Sequence, residues 1–211
     1  MAMINTGASP ITVIPNMEHP MKSSYQEGTE VHTLEEYIDD ICTLLEYGEL
    51  WHKKSANECR ELGIRGPGRW HEAEADGDNS VHMGLRKILE DRVRYVPKIN
   101  IKELEEAEQY KIKNLEAYKM HFMKWIEHEK KLIHCLNKAV AMSRDVDSDL
   151  YEKLWCIKKE SENEKMRVKM VQLNFDFADW NKPYLLYCSR IIHKYFEHEY
   201  KQGDMIDFNL G

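Results

Sequence analysis

Long apolar runs are missing from this sequence. No window approaches the roughly 20 consecutive apolar residues of a membrane-spanning helix, so no such span is expected. Proline is scarce: six residues in 211, three of them before residue 31, so little in the remainder would stop a helix. The five cysteines, Cys42, Cys59, Cys135, Cys156 and Cys188, are odd in number, scattered and form no C-x-x-C pair. That argues against a disulfide framework or a cysteine zinc site, and for reduced thiols in a cytoplasmic protein. There is no excess of positive charge: 30 Lys and Arg face 37 Asp and Glu, a net charge of −7. Nothing in that balance calls for nucleic acid. The N-terminus lacks a basic stretch followed by an apolar run, so no signal peptide is expected. No repeat of fixed period and no low-complexity tract is present.

What the chain does have is helical periodicity. Residues 1–31 read as an extended arm, 32–175 as a bundle of four helices, and 176–211 as a C-terminal helix with an irregular tail. Thr33 and Glu36 form a T-x-x-E capping box, which opens a helix running to about Leu62. Gly63 ends it, and GIRGPG (63–68) reads as a turn. In the second segment Trp70, Ala73, Val81, Leu85, Ile88 and Tyr95 share a face. DGDN (76–79) within it is turn chemistry, and the reading preferred here is a continuous or kinked helix through Gly77. The third helix is expected from near Ile101 to about Arg144, long enough to bend. SRDVDSD (143–149) is a loop, and a fourth helix follows from about Leu150 to Phe175. A fifth is expected over 184–200, capped by Asn181 with Pro183 in its first turn.

One residue breaks the pattern. In LEAYKMHFMKWIEHEKKLIHCLNKAVAM (115–142), Leu115, Tyr118, Phe122, Ile126, Ile133, Leu136 and Val140 form an apolar row, and Glu129 falls on it. A buried carboxylate is costly unless paired, hydrogen-bonded or bound to a metal. Other helices carry acids on or beside their inward faces: Glu46 or Glu49, Glu74 or Asp78, and Glu160 or Glu164, with His82 at an edge. Inward carboxylates and a histidine on four amphipathic helices are how a bundle builds a two-metal site. Oxygen and imidazole donors suit iron or manganese. The plainer alternative for each acid is an ion pair, with Lys113, Lys124 or Lys158 as partner, or a solvated face such as EHEKK (127–131).

LEAY…WIEHEKKLIHCLNKAV resembles the third helix of ferritins, whose "HEKK"-type stretch carries a ferroxidase glutamate. The resemblance extends over about residues 33–170. It places Glu129 at that glutamate and His82 at the ligand histidine of E-x-x-H. Glu46, in LLEYGEL, falls at the first-helix glutamate, and Glu160, in LWCIKKESENEK, at the fourth-helix Glu or Gln. The family's bridging glutamate is replaced by Asn79, leaving Asp78 one residue away as substitute, and the first-helix tyrosine is replaced by Lys53. What the resemblance implies is an all-α, ferritin-like four-helix bundle with one long crossover connection between its second and third helices. It also implies a homo-oligomer that binds a dinuclear iron centre through Glu46, Asp78, His82, Glu129 and Glu160, with Glu164 as an accessory carboxylate. Oxidation of ferrous iron is the implied chemistry. The alternative is a helical bundle that keeps the scaffold, has lost the metal site and serves in structure or protein interaction.

Overall fold

The computed structural model describes residues 32–109, 111–177, 179–181 and 183. The expected N-terminal arm at 1–31 and the fifth helix expected over 184–200 lie outside them. Every regular element among the described residues is helical. Helix α1 spans Leu34–Glu61, α2 Arg65–Ile88, α3 Ile101–Gln109, α4 Leu115–Ser143 and α5 Ser148–Phe177. The capping box at α1 is formed on both sides: Thr33 Oγ1 accepts from the Glu36 amide and the Glu36 carboxylate accepts from the Thr33 amide.

Two expected boundaries are corrected. GIRGPG is not a turn throughout. Only Leu62 to Ile64 connect α1 to α2, and Pro67 sits in the first turn of α2, where its missing N–H costs nothing. The long third helix is two helices, α3 and α4, and the break has a tertiary cause. Ile112 is buried and its amide donates to the Glu58 carboxylate of α1. Asn114 then caps α4, its Oδ1 accepting from the Ala117 amide at 2.8 Å. Through DGDN, by contrast, α2 continues unbroken. It closes in a π-helical turn over Leu89–Val93 and stops at Arg94, whose φ of 60° is left-handed.

Contacts set the directions of the helices. Residue 52 of α1 meets 71 of α2, and 48 meets 78, so α2 runs antiparallel to α1. Residues 47, 51 and 55 of α1 meet 128, 125 and 121 of α4, so α4 is antiparallel to α1 as well. Since α2 and α4 then point the same way, the chain between them must travel back along the molecule. It does so over α1: Tyr95 Oη and the Lys98 amide both donate to Asp39 Oδ1, and the Asn100 amide donates to Thr43 Oγ1. α5 returns along α4, with Phe175 against Phe122.

Two apolar clusters form the core. One joins Leu34–Leu45 of α1 with Leu85, Leu89, Leu132–Val140 and Leu150–Ile157. The other is aromatic and joins Trp51, Trp70, Tyr118, Phe122, Trp125, Phe175 and Trp180. Between the stretches that feed the two clusters, the helices bury polar side chains: Glu74 and His82 on α2, Glu129 on α4, Ser161 and Glu164 on α5.

Gly77 lies mid-helix, and a Cβ there would meet nothing within 4 Å. Gly77→Ala is therefore expected to add about 0.5–1 kcal/mol of stability by removing backbone freedom from the unfolded chain. Urea unfolding of the variant measures it, and a loss of stability would contradict a continuous α2.

Candidate functional site

On α2 Trp70, Glu74, His82 and Leu85 are buried, and Leu89 follows in the π-helical turn; with the half-buried Asp78 they form one row at intervals of three and four. His82, expected at the edge, is only 4% exposed and lies inside the face. Glu74 accepts from Trp70 Nε1 at 2.6 Å. Asp78 points at α1, where Gly48 makes room. A Cβ on Gly48 would stand 2.5 Å from Asp78 Oδ2 and 3.3 Å from the Trp125 ring. The bare glycine lets the carboxyl group of α2 and the indole of α4 approach the α1 backbone together.

The electrostatics follow from this placement. Burial pushes the Asp78 carboxyl well above the usual carboxylate range, and the negative charges of Glu129, Glu74 and Glu49 push it in the same direction. Asp78 Oδ2 is shut off from solvent and has no hydrogen-bond partner among the described residues, and the same holds for His82 Nε2. The His82 ring feels the charges of Glu46 and Glu49, which oppose the effect of burial, but burial wins and holds its pKa below the ordinary value.

Of the residues expected in a metal site, the structure thus brings Asp78 and Glu129 within range of each other's charge, and Glu46 within range of His82. Glu129, 1% exposed, is buried as its place on the apolar row requires. Glu164 is buried and Glu160 half-buried on α5, but neither is among the charges that act on Asp78. Glu49 and Glu74 act on it instead. As the side chains stand, no three His, Cys, Asp or Glu among the described residues converge so as to hold a metal ion.

Beside the carboxylates lies a cluster of aromatic rings and histidines that sequence reasoning did not assemble. Tyr47, His128, Trp125, Trp51 and His121 form one continuous stack. Successive ring centres are 5.0, 4.7, 4.6 and 3.6 Å apart, and no interplanar angle exceeds 21°. The rings come from α1 at 47 and 51 and from α4 at 121, 125 and 128, both helical spacings. Ser55 ends the column: its Oγ donates to the Trp51 carbonyl at 2.6 Å and lies 2.5 Å from His121 Nε2. The serine has one proton to give, so His121 Nε2 carries the other. His52 and His71 meet through their Nδ1 atoms at 2.7 Å, and His71 Nε2 lies 3.3 Å from the Tyr118 hydroxyl. A visible signal was the repeated Trp-His pair, Trp51-His52 and Trp70-His71.

Burial keeps these imidazoles neutral. His71 is pushed down to about 3 and His121 to about 2, with the charge of His71 and then Lys124 and Lys54 adding to burial for His121. His52 is held well below its ordinary value by burial first and then by its histidine neighbours. The site as a whole therefore offers neutral imidazoles and clustered carboxyl groups, the donors that hard and intermediate divalent cations take.

No protein-family model and no curated protein sequence matches this chain.

Two outcomes are expected. The buried histidines have folded pKa values below the unfolded value of about 6.5, so their contribution is intact above that pH. It is lost as pH falls from there toward about 3, at up to about 1.4 kcal/mol per pH unit for each histidine. Urea unfolding between pH 7 and 5 should show this fall, and it should flatten in His71→Gln. Asp78 has the opposite sign: its raised folded pKa costs stability as pH rises above about 4. Asp78→Asn should thus raise the thermal midpoint of metal-free protein at pH 7, and a lowered midpoint would contradict the placement of this carboxyl group.

Proposed function

We propose that this protein is a ferritin-like iron-binding bundle in which ferrous ions are held, and oxidised, among carboxylates midway along three of its helices. The reading rests on one observation: four acids from three helices share one layer, Glu74 and Glu129 buried, Asp78 half-buried and Glu49 half-buried and paired with Lys53, while Asp78 Oδ2 lacks any hydrogen-bond partner among the described residues. Such a layer is unfavourable without positive charge, and divalent cations would supply it. The helix directions agree: α1 antiparallel to both α2 and α4, with a long return between them, is the arrangement of a bundle with one crossover.

Asp78, Glu129, Glu49 and Glu74 would hold the iron, His82 would offer an imidazole nitrogen, and Glu46 would orient or assist His82. Glu160 and Glu164 stay outer carboxylates on α5. The metal is the substrate: two ferrous ions give one electron each, and dioxygen takes both electrons with two protons to leave as hydrogen peroxide. The chain's own work is to bind, to balance charge and to keep water out. The stacked rings would do the last, because the Trp125 indole, like Asp78, lies beside Gly48. The protein assembles, on this reading, with copies of itself.

The second reading is a bundle that keeps the scaffold for protein interaction and binds no metal. What favours it is that no three donors converge among the described residues, and that Asn79, at the place of the family's bridging glutamate, is exposed.

One experiment separates them. Metal analysis of the purified protein, with the rate of ferrous oxidation followed optically, is expected to give bound iron and a rate well above the uncatalysed one. Glu129→Ala and Asp78→Ala should each lower that rate at least tenfold. Metal-free protein whose rate equals that of both variants would sink the iron reading, and a folded, interacting, metal-free bundle would stand in its place.

A further inference from the structure

Two buried imidazoles face each other where α1 packs on the start of α2. His52 Nδ1 and His71 Nδ1 lie 2.7 Å apart, and both rings are shut off from solvent. Indoles enclose the pair. Trp51 and Trp70 lie within 5.8 Å of both imidazoles, centre to centre, and Trp125 lies 4.1 Å from His52.

Between two neutral imidazoles the short contact holds one proton, which either ring can carry. His52 Nε2 is buried and has no hydrogen-bond partner among the described residues. That ring can therefore move its proton from Nδ1 to Nε2 without breaking a bond at Nε2. On the other side, His71 Nε2 lies 3.3 Å from the Tyr118 hydroxyl, which accepts as readily as it donates. Both protons can thus sit on the Nε2 atoms, and two lone pairs then point at one place. Burial keeps both rings neutral, so no proton competes with a metal ion for them.

The surroundings decide which ion suits the pair. The charges that act on His52 are those of His71, His121 and His128, and His71 responds to burial alone. No carboxylate is among them, so a doubly charged ion would bring charge that nothing balances. Zinc would also ask for four donors, and among the described residues no third His, Cys, Asp or Glu converges on the pair. A singly charged, soft, closed-shell ion asks for less. Cuprous copper is satisfied by two neutral nitrogens in line, and indole faces favour a cation of low charge.

We propose that His52 and His71 form a second metal site, separate from the acid layer, in which one cuprous ion joins the two Nδ1 atoms in linear coordination among the three indoles. The ion and two neutral imidazoles give a singly charged complex. The proton of the Nδ1 contact moves to Nε2 of the ring that held it, and no electron is transferred. Metal–imidazole bonds are about 2 Å long, so the nitrogens part from 2.7 Å to roughly 4 Å on binding. The site stands whether or not the acid layer takes iron.

The test is an oxygen-free titration of metal-free protein, its accessible thiols alkylated, with cuprous ion against a chromophoric cuprous chelator. One equivalent is expected to bind, and X-ray absorption of the complex should show two nitrogen neighbours at about 2 Å and no sulfur. His71→Gln should weaken binding by about a hundredfold or more, because half the donor set is gone, while His121→Gln should leave it nearly unchanged. Zinc(II) in excess should not displace the ion. Where His71→Gln fails to fold, the absorption spectrum of the wild-type complex decides alone. Sulfur neighbours, no binding of a first equivalent, displacement by zinc, an affinity that folded His71→Gln leaves intact, or an equal loss in His121→Gln would each overturn the proposal.

Discussion

The interleaving of rings between α1 and α4 fixes the geometry on which everything else depends. Tyr47 and Trp51 from one helix share a single column with His121, Trp125 and His128 from the other, which opposes rotation and sliding of either helix. Flat rings in contact define both the separation and the phase of the two helices, where aliphatic side chains would define chiefly the separation. The phase matters because Glu129 follows His128 on α4 and Gly48 follows Tyr47 on α1. Locking the rings therefore locks the acid of α4 and the bare backbone position of α1 toward the same interior. α2 completes the arrangement through Asp78, which reaches α1 at Gly48, where Trp125 also approaches.

Much of this was legible in the sequence, and the rest was hidden for identifiable reasons. Glu129 could be placed because a single long amphipathic row surrounds it, and seven apolar neighbours determine the face. The choice between Glu74 and Asp78 could not be made, since both lie on one row, and the structure uses both. α1 was similar: Glu49 acts on Asp78 while Glu46 acts on His82. The stack of rings was invisible because it depends on the relative height of two helices far apart in sequence, which no local periodicity encodes. The break before α4 was missed because its cause is a partner on α1, Glu58, and not a breaker residue; Asn114 was its one local trace.

α2 shows how local propensity yields to packing. DGDN is a turn by composition, and helix formation through it is opposed by about 1 kcal/mol at the glycine alone. Yet Trp70, Glu74, His82, Leu85 and Leu89 on either side are buried against α1 and its neighbours. Burying such side chains contributes about 1.5–3 kcal/mol for each large apolar one, which outweighs the local cost several times. The same balance, with the opposite result, operates between α3 and α4, where a good helical sequence is interrupted to seat Ile112.

The sequence left two accounts of an inward acid open, a cation-bound carboxylate or an ordinary ion pair, and the direction of the Asp78 shift bears on them. Were a lysine or arginine its dominant neighbour, the carboxyl group would be held low. It is instead driven up, by burial and by three other carboxylates. Gly48 is what permits that placement: any larger residue would force the carboxyl group away and relieve the repulsion at once. An arrangement that spends stability on like charges, through a glycine that favours neither helix nor packing, has only two ways to settle at neutral pH. Asp78 takes up a proton, leaving a neutral acid with an unused oxygen, or a cation enters and turns the repulsion among the acids into shared attraction. The first is the direction in which burial and the neighbouring acids drive Asp78.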